Sequence, residues 1–226
     1  MKKPHEEITM KTDTQLQLDV RSELGWNSRI SSADIGISVN DGLVTLYGDV
    51  PHFMEKIAAE QATERVSGVQ GVVNEIEVRL LDDSSQRDDR DIAEAAVTAL
   101  KWTYGVPSDI KISVSKGMIT LKGEVDWAHQ KSVAENAVQG LLGVCAVINE
   151  LEIKATLPAS GLKPAIEAAF KRSAKNEGKG ITVKVEGTRV SLTGGVRCLS
   201  DKNYAGHLAS RARGVTRVEN NLNVAK

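Results

Sequence analysis

Aromatic side chains are scarce in this 226-residue chain: three Trp, three Tyr and two Phe, or 4%. Large single cores lean on such rings, so the scarcity favours several small aliphatic cores. Only two cysteines occur, Cys145 and Cys198, with no spacing pattern. That argues against a disulfide framework or a thiolate metal site and fits free thiols in a reducing compartment. Long apolar runs are missing too, and no window approaches the roughly 18 residues a spanning helix needs. Lys2 and Lys3 are followed by Glu6, Glu7, Asp13 and Asp19 rather than by an apolar segment. No secretory signal peptide is therefore expected, and the chain reads as cytoplasmic, or as periplasmic only if a leader has been lost. Hydrophobic content of 41% and charged content of 26% are those of an ordinary globular protein.

What the sequence does contain is a threefold internal repeat. Ile35, Ile37 and Val39 alternate up to Gly42, and Val44, Leu46, Gly48 and Val50 alternate after it. The same grammar returns at Ile110, Ile112 and Val114, then Gly117, then Ile119, Leu121, Gly123 and Val125. It returns again at Ile181, Val183 and Val185, then Gly187, then Val190, Leu192, Gly194 and Val196. The last glycine of each set recurs after 75 and then 71 residues. Gly68, Gly143 and Gly214 keep this register, as do Asn74, Asn149 and Asn220, each of which opens an alternating run.

Each copy begins with an amphipathic helix, Leu16, Val20 and Leu24 in the first and Ile92, Ala96 and Leu100 in the second. Two alternating strands then form a hairpin about the turn glycine. A second helix presents Ala58, Ala59, Ala62 and Val66, matched by Val133, Ala134, Ala137 and Leu141 and by Tyr204, Ala205, Leu208 and Ala212. A third strand closes the copy. The fold class is α+β, three tandem α-β-β-α-β modules over residues 12–80, 88–154 and 160–226. The polar stretch 81–87 and the Pro- and Gly-bearing stretch 155–161 read as linkers.

Alternation assigns the faces. Gly48, Gly123 and Gly194 share the phase of buried apolar residues, so a helix is expected to approach the sheet closely there. Asn74, Asn149 and Asn220 also fall on the inward phase, and their amides should hydrogen-bond backbone. Trp26 and Trp102 are expected to complete the apolar face of the first helix. Trp127, at the position of His52 and Cys198, is expected near an edge.

Taken together, the paired strands about a turn glycine, the small-residue helix, the Gly-Val step and the Asn-led last strand resemble the BON domain (bacterial OsmY and nodulation domain) over nearly the whole chain. The resemblance implies a three-stranded sheet with two helices on one face, a role near membranes and no catalytic activity. BON domains are mostly found in exported bacterial proteins and are proposed to bind phospholipid surfaces or to protect the envelope under osmotic stress. Three copies without a leader depart from the usual pattern. Similar cytoplasmic proteins join a BON domain to a LysM domain and bind potassium, but no LysM-like segment is visible here.

No catalytic or metal constellation stands out. His5, His52, His129 and His207 occupy unrelated positions and form no metal-ligand spacing. Gly178-Lys-Gly180 is too short for a phosphate loop. No nucleophile has an evident base, and no cofactor is expected.

Charge is divided along the chain. Residues 1–86 hold 8 Lys+Arg against 15 Asp+Glu, net −7; residues 87–156 hold 8 against 10, net −2; residues 157–226 hold 13 against 5, net +8. The basic third copy makes Lys171, Arg172, Lys175, Lys179, Lys202, Arg211, Arg213 and Arg217 candidate lipid-binding residues for an anionic phospholipid surface, at about 1 kcal/mol per cation near such a surface. The alternative is self-association between the acidic first and basic third copies, a scaffold, or a sensor of a small ligand such as a cation. Nucleic acid is disfavoured, because the third copy carries only Phe170 and Tyr204 as aromatics, both at core-facing positions.

Overall fold

A computed structural model describes residues 11–79, 87–154, 162–172, 180–212 and 214–224. The first module runs α1 (Asp13–Trp26), β1 (Ile35–Asn40), β2 (Leu43–Val50), α2 (Phe53–Arg65) and β3 (Gly71–Val78). The second runs α3 (Asp89–Trp102), β4 (Lys111–Ser115), β5 (Met118–Val125), α4 (Ala128–Gln139) and β6 (Ala146–Ile153). The third runs α5 (Leu162–Arg172), β7 (Thr182–Glu186), β8 (Arg189–Val196), α6 (Leu199–Ser210) and β9 (Arg217–Val224). The α-β-β-α-β order and the α+β class expected from the repeat are the observed ones. Of the expected linkers 81–87 and 155–161, only Arg87 is among the described residues.

In each module the middle strand is central. It pairs antiparallel with the first strand through the hairpin and parallel with the third, which the second helix connects. Both helices lie on one face. Leu16, Val20 and Leu24 of α1 and Ala58, Ala59 and Ala62 of α2 are buried with Val44, Leu46 and Val50. The alternate phase of the sheet, with Leu43, Tyr47 and Val73, is exposed. The second and third modules have equivalent cores, aliphatic except for Phe170 in the third, so the described residues form three clusters rather than one. In α4 the buried positions are Ala134 and Val138, with Val133, Ala137 and Leu141 only half-buried.

The glycine expectation needs correction. A Cβ at Gly48 would strike the carbonyl oxygen of Asp34, and one at Gly194 the carbonyl oxygen of Gly180. At Gly123 the nearest atom is the Asp109 carbonyl oxygen at 3.5 Å. The close neighbour is thus the backbone entering the first strand, not either α-helix. All three glycines have positive φ, +123° at Gly48, +142° at Gly123 and +131° at Gly194, a region that side-chain-bearing residues rarely adopt.

The modules touch through their second helices. α6 packs against both α2 and α4. Phe53 and Leu199 occupy equivalent positions, the first residue of the second helix. Phe53 packs on the core of the second module and Leu199 on the core of the first. The first module therefore leans on the second and the third leans on the first, the same step taken twice in cyclic order. Asn203 Nδ2 donates to Glu64 Oε1 at 2.7 Å across the seam between the first and third modules. Among the described residues, the ion pairs stay inside modules.

Candidate surface-binding site

The inward asparagines are structural clasps between the third strand and the second helix. Asn74 Nδ2 donates to the Lys56 carbonyl at 3.1 Å and to Glu60 Oε2 at 3.0 Å, while its Oδ1 accepts from the Ile76 amide. Asn149 repeats all three contacts with Lys131, Glu135 and Leu151. In the third module Asn220 Nδ2 keeps only the backbone bond, to Lys202 at 2.6 Å. Gly206 stands where the other modules have Glu60 and Glu135, and Asn220 Oδ1 is buried without a partner. These clasps tie the sheet to the crossover helix, and in the first two modules they engage both ends of the asparagine amide.

A second recurring device escaped the sequence reading. The Asp13 carboxylate accepts from the amides of Asp41 and Gly42, at 2.9 and 3.2 Å, and so closes the end of α1 onto the hairpin turn. Asp89 does the same for Lys116 and Gly117, at 2.8 and 2.9 Å. In both turns the two central residues have positive φ, so their amides point together at one carboxylate. These amide bonds, from Gly117 first and Lys116 second, hold the Asp89 carboxyl below the usual carboxylate range. The signal was an Asp in the first turn of each helix, 28 or 29 residues ahead of the turn glycine.

The candidate cations among the described residues are distributed over α5, α6 and β9. Lys171 and Arg172 are exposed in the last turn of α5. Lys202 is half-buried in α6, and Arg211 caps the far end of that helix. Arg217 is exposed at the start of β9, 4.0 Å from Glu219. Lys175, Lys179 and Arg213 lie outside the described residues.

The tryptophan expectation fails in an informative way. Trp26 and Trp102 end α1 and α3 with 88% and 84% of their surface exposed, and Tyr104 just beyond is 99% exposed. The apolar face of each helix is already complete at Leu24 and Leu100, so the ring two residues on swings away from the core. In α5 the buried Phe170 stands at the place of Leu100, and Arg172 therefore stands at the place of Trp102. The ends of the three first helices thus carry Trp, Trp and Arg. Trp127 is half-buried at the N-terminal end of α4. Beside Trp26 lies a shallow open pocket lined by Glu23, Asn27, Arg29, Gln61 and Arg65.

Among the described residues, no group of three or more His, Cys, Asp or Glu side chains is placed to hold a metal ion. None of the described helices is long and apolar enough to cross a membrane. The sequence pattern of the BON domain matches residues 12–79, 88–155 and 159–226. The chain belongs to the BON domain family. It is similar to the osmotically-inducible protein Y of Escherichia coli K12, 26% identical over 146 residues, which span 63% of this chain and 73% of that protein. The 146 residues are about two BON modules long. Among solved structures it is similar to CdsD, a structural protein of the type III secretion system of Chlamydia trachomatis, at 15% identity over 93% of both chains with a TM-score of 0.25. A second structure, the C-terminal domain of the same protein, gives 14% identity over 96% of this chain and 100% of that one, with a TM-score of 0.26. Scores this low carry no weight for the arrangement of the BON modules here.

Proposed function

We propose that this BON protein is a non-enzymatic bacterial stress protein that settles on phospholipid surfaces by the ends of its first helices. The observation that carries the reading is the near-complete exposure of Trp26, Trp102 and Tyr104, with Arg172 at the equivalent corner of the third module. An indole held in water forfeits the burial of a large apolar ring, and the membrane interface accepts both that ring and its N–H. Lys171 and Arg172 add attraction for anionic headgroups. Osmotic induction of the similar Escherichia coli protein supports a stress context. This reading moves the weight of the site from the whole basic third module to a few helix-end residues.

The test is co-sedimentation of the full chain with anionic and neutral vesicles at low and high salt. Binding should require anionic lipid and should weaken as salt rises, since surface charges are screened within about 10 Å at 0.1 M. Trp26→Ala with Trp102→Ala and Tyr104→Ala should weaken binding at every salt concentration. Lys171→Glu with Arg172→Glu should weaken it at low salt above all. A wild-type chain that ignores anionic vesicles at low salt overturns the reading. A salt-sensitive oligomer in that sample would assign the charge division to self-association instead.

A further inference from the structure

Two carboxylates, Glu60 and Glu64, stand one turn apart on α2 beside the seam with the third module. Asn74 donates to Glu60, and Asn203 of α6 donates to Glu64 across the seam. Neither carboxylate meets a cation among the described residues. Several neighbouring charges are engaged elsewhere. Arg65 of α2 is held by Glu23 of α1 at 3.0 Å, and Lys56 of α2 donates to the Ile76 carbonyl at 2.7 Å. On α6, Arg197 precedes the helix and pairs with Asp201, Lys202 is half-buried, and His207 lies exposed one turn beyond Asn203. On the sheet, Asp49 of β2 pairs with Arg79.

The second module holds the same turn in a different chemical form. Glu135 matches Glu60 and accepts the same asparagine bond, but the residue matching Glu64 is Gln139. Gln139 Nε2 donates to Glu135 Oε1 at 3.1 Å, so this pair is a hydrogen bond where the first module has two acids. A protonated Glu64 has the same capacity: its O–H donates to Glu60 while its carbonyl oxygen still accepts from Asn203.

We propose that the seam between the first and third modules is a proton-sensitive latch, closed by protonated Glu64 and loosened when Glu64 ionises. Burial pushes the Glu64 carboxyl above the usual carboxylate range and Glu60 adds to the rise, with the Asn203 bond offsetting part of it. A carboxyl whose folded value is raised stabilises the folded seam below its unfolded value, and that stability is lost as pH rises through the folded value. Acid therefore tightens the seam. The inference is independent of lipid binding.

The full chain tests it, by thermal unfolding at about pH 5 and about pH 8 together with amide hydrogen exchange of α6. Glu64→Gln should raise the melting temperature near pH 8 by about 2–4 °C and slow exchange in α6 there. Near pH 5, where wild-type Glu64 carries its proton more often, the gain should shrink. His207→Gln should leave the pH response in place. The proposal is overturned if Glu64→Gln melts at or below wild type near pH 8, if its gain is as large near pH 5, or if His207→Gln removes the response.

Discussion

At Gly48 and Gly194 an added Cβ would run into a carbonyl oxygen, whereas at Gly123 the Asp109 oxygen stands 3.5 Å away. All three share positive φ, so any side chain there meets backbone strain of about 1–3 kcal/mol. Only the first and third add a collision. Gly48→Ala and Gly194→Ala should therefore lower stability more than Gly123→Ala, which chemical denaturation of each variant would rank. Gly123→Val should still cost about 1–3 kcal/mol, since a β-branched residue can neither adopt that backbone nor fit it freely. The repeat made these glycines legible as structural, but not their reason. Alternation tells which face a residue points to, while a carbonyl arriving from the preceding loop leaves no periodic trace. The asparagines were more legible, because an inward amide must find partners within reach, and the helix carbonyl one layer above supplies one. The loss of the carboxylate partner in the third module, at Gly206, could be read only once helix and strand were aligned in space.

At the scale of the element, the first helices of the first two modules are bound to their sheets by two different means. Apolar side chains spaced at one turn bury the length of each, as the periodicity foretold, and a carboxylate at its start closes on the hairpin turn. The third module lacks such an acid at the matching place, Ala159, which lies outside the described residues. Asp89 offers a direct test. Its carboxyl is held below its ordinary value by the Gly117 and Lys116 amides, so it stabilises the folded module above the unfolded value and loses that contribution as pH falls through the folded one. Asp89→Asn should lower the melting temperature at neutral pH and flatten the acid side of the pH profile, measured by circular dichroism. An unchanged acid limb would show that the clasp contributes little. The helix ends also show where periodicity misleads. Trp26 and Trp102 follow the last buried leucine by two residues, about 200° around the helix, which turns them outward. Placing them on the apolar face treated proximity in sequence as proximity in direction.

At the scale of the molecule, the three separate cores were legible in the repeat, while the seams were not. Phe53 and Leu199 look like ordinary helix-start residues, and only the packing reveals that each sits on another module. A seam residue should matter in the whole chain and not in a part. Leu199→Ser should destabilise the first and third modules in the full chain by about 1–2 kcal/mol through lost burial. The isolated fragment 158–226, if it folds, should be indifferent to the same change, because its Leu199 has no module to cover it. Comparing the denaturant midpoints of the two pairs decides the matter. Equal loss in both would place Leu199 in the core of its own module.

Stacked repeat proteins ordinarily possess ends, and their outermost units need polar caps to shield a face that has no neighbour. Here the last module is seated on the first, so every unit has two neighbours and none is terminal. Removing a unit from an open row sacrifices one junction if it is taken from the end. Removing any unit from this arrangement sacrifices two of the three. A mutational lesion confined to one module should thus be felt by both others, and the tolerance to trimming that makes open repeat arrays easy to shorten should be missing from this chain.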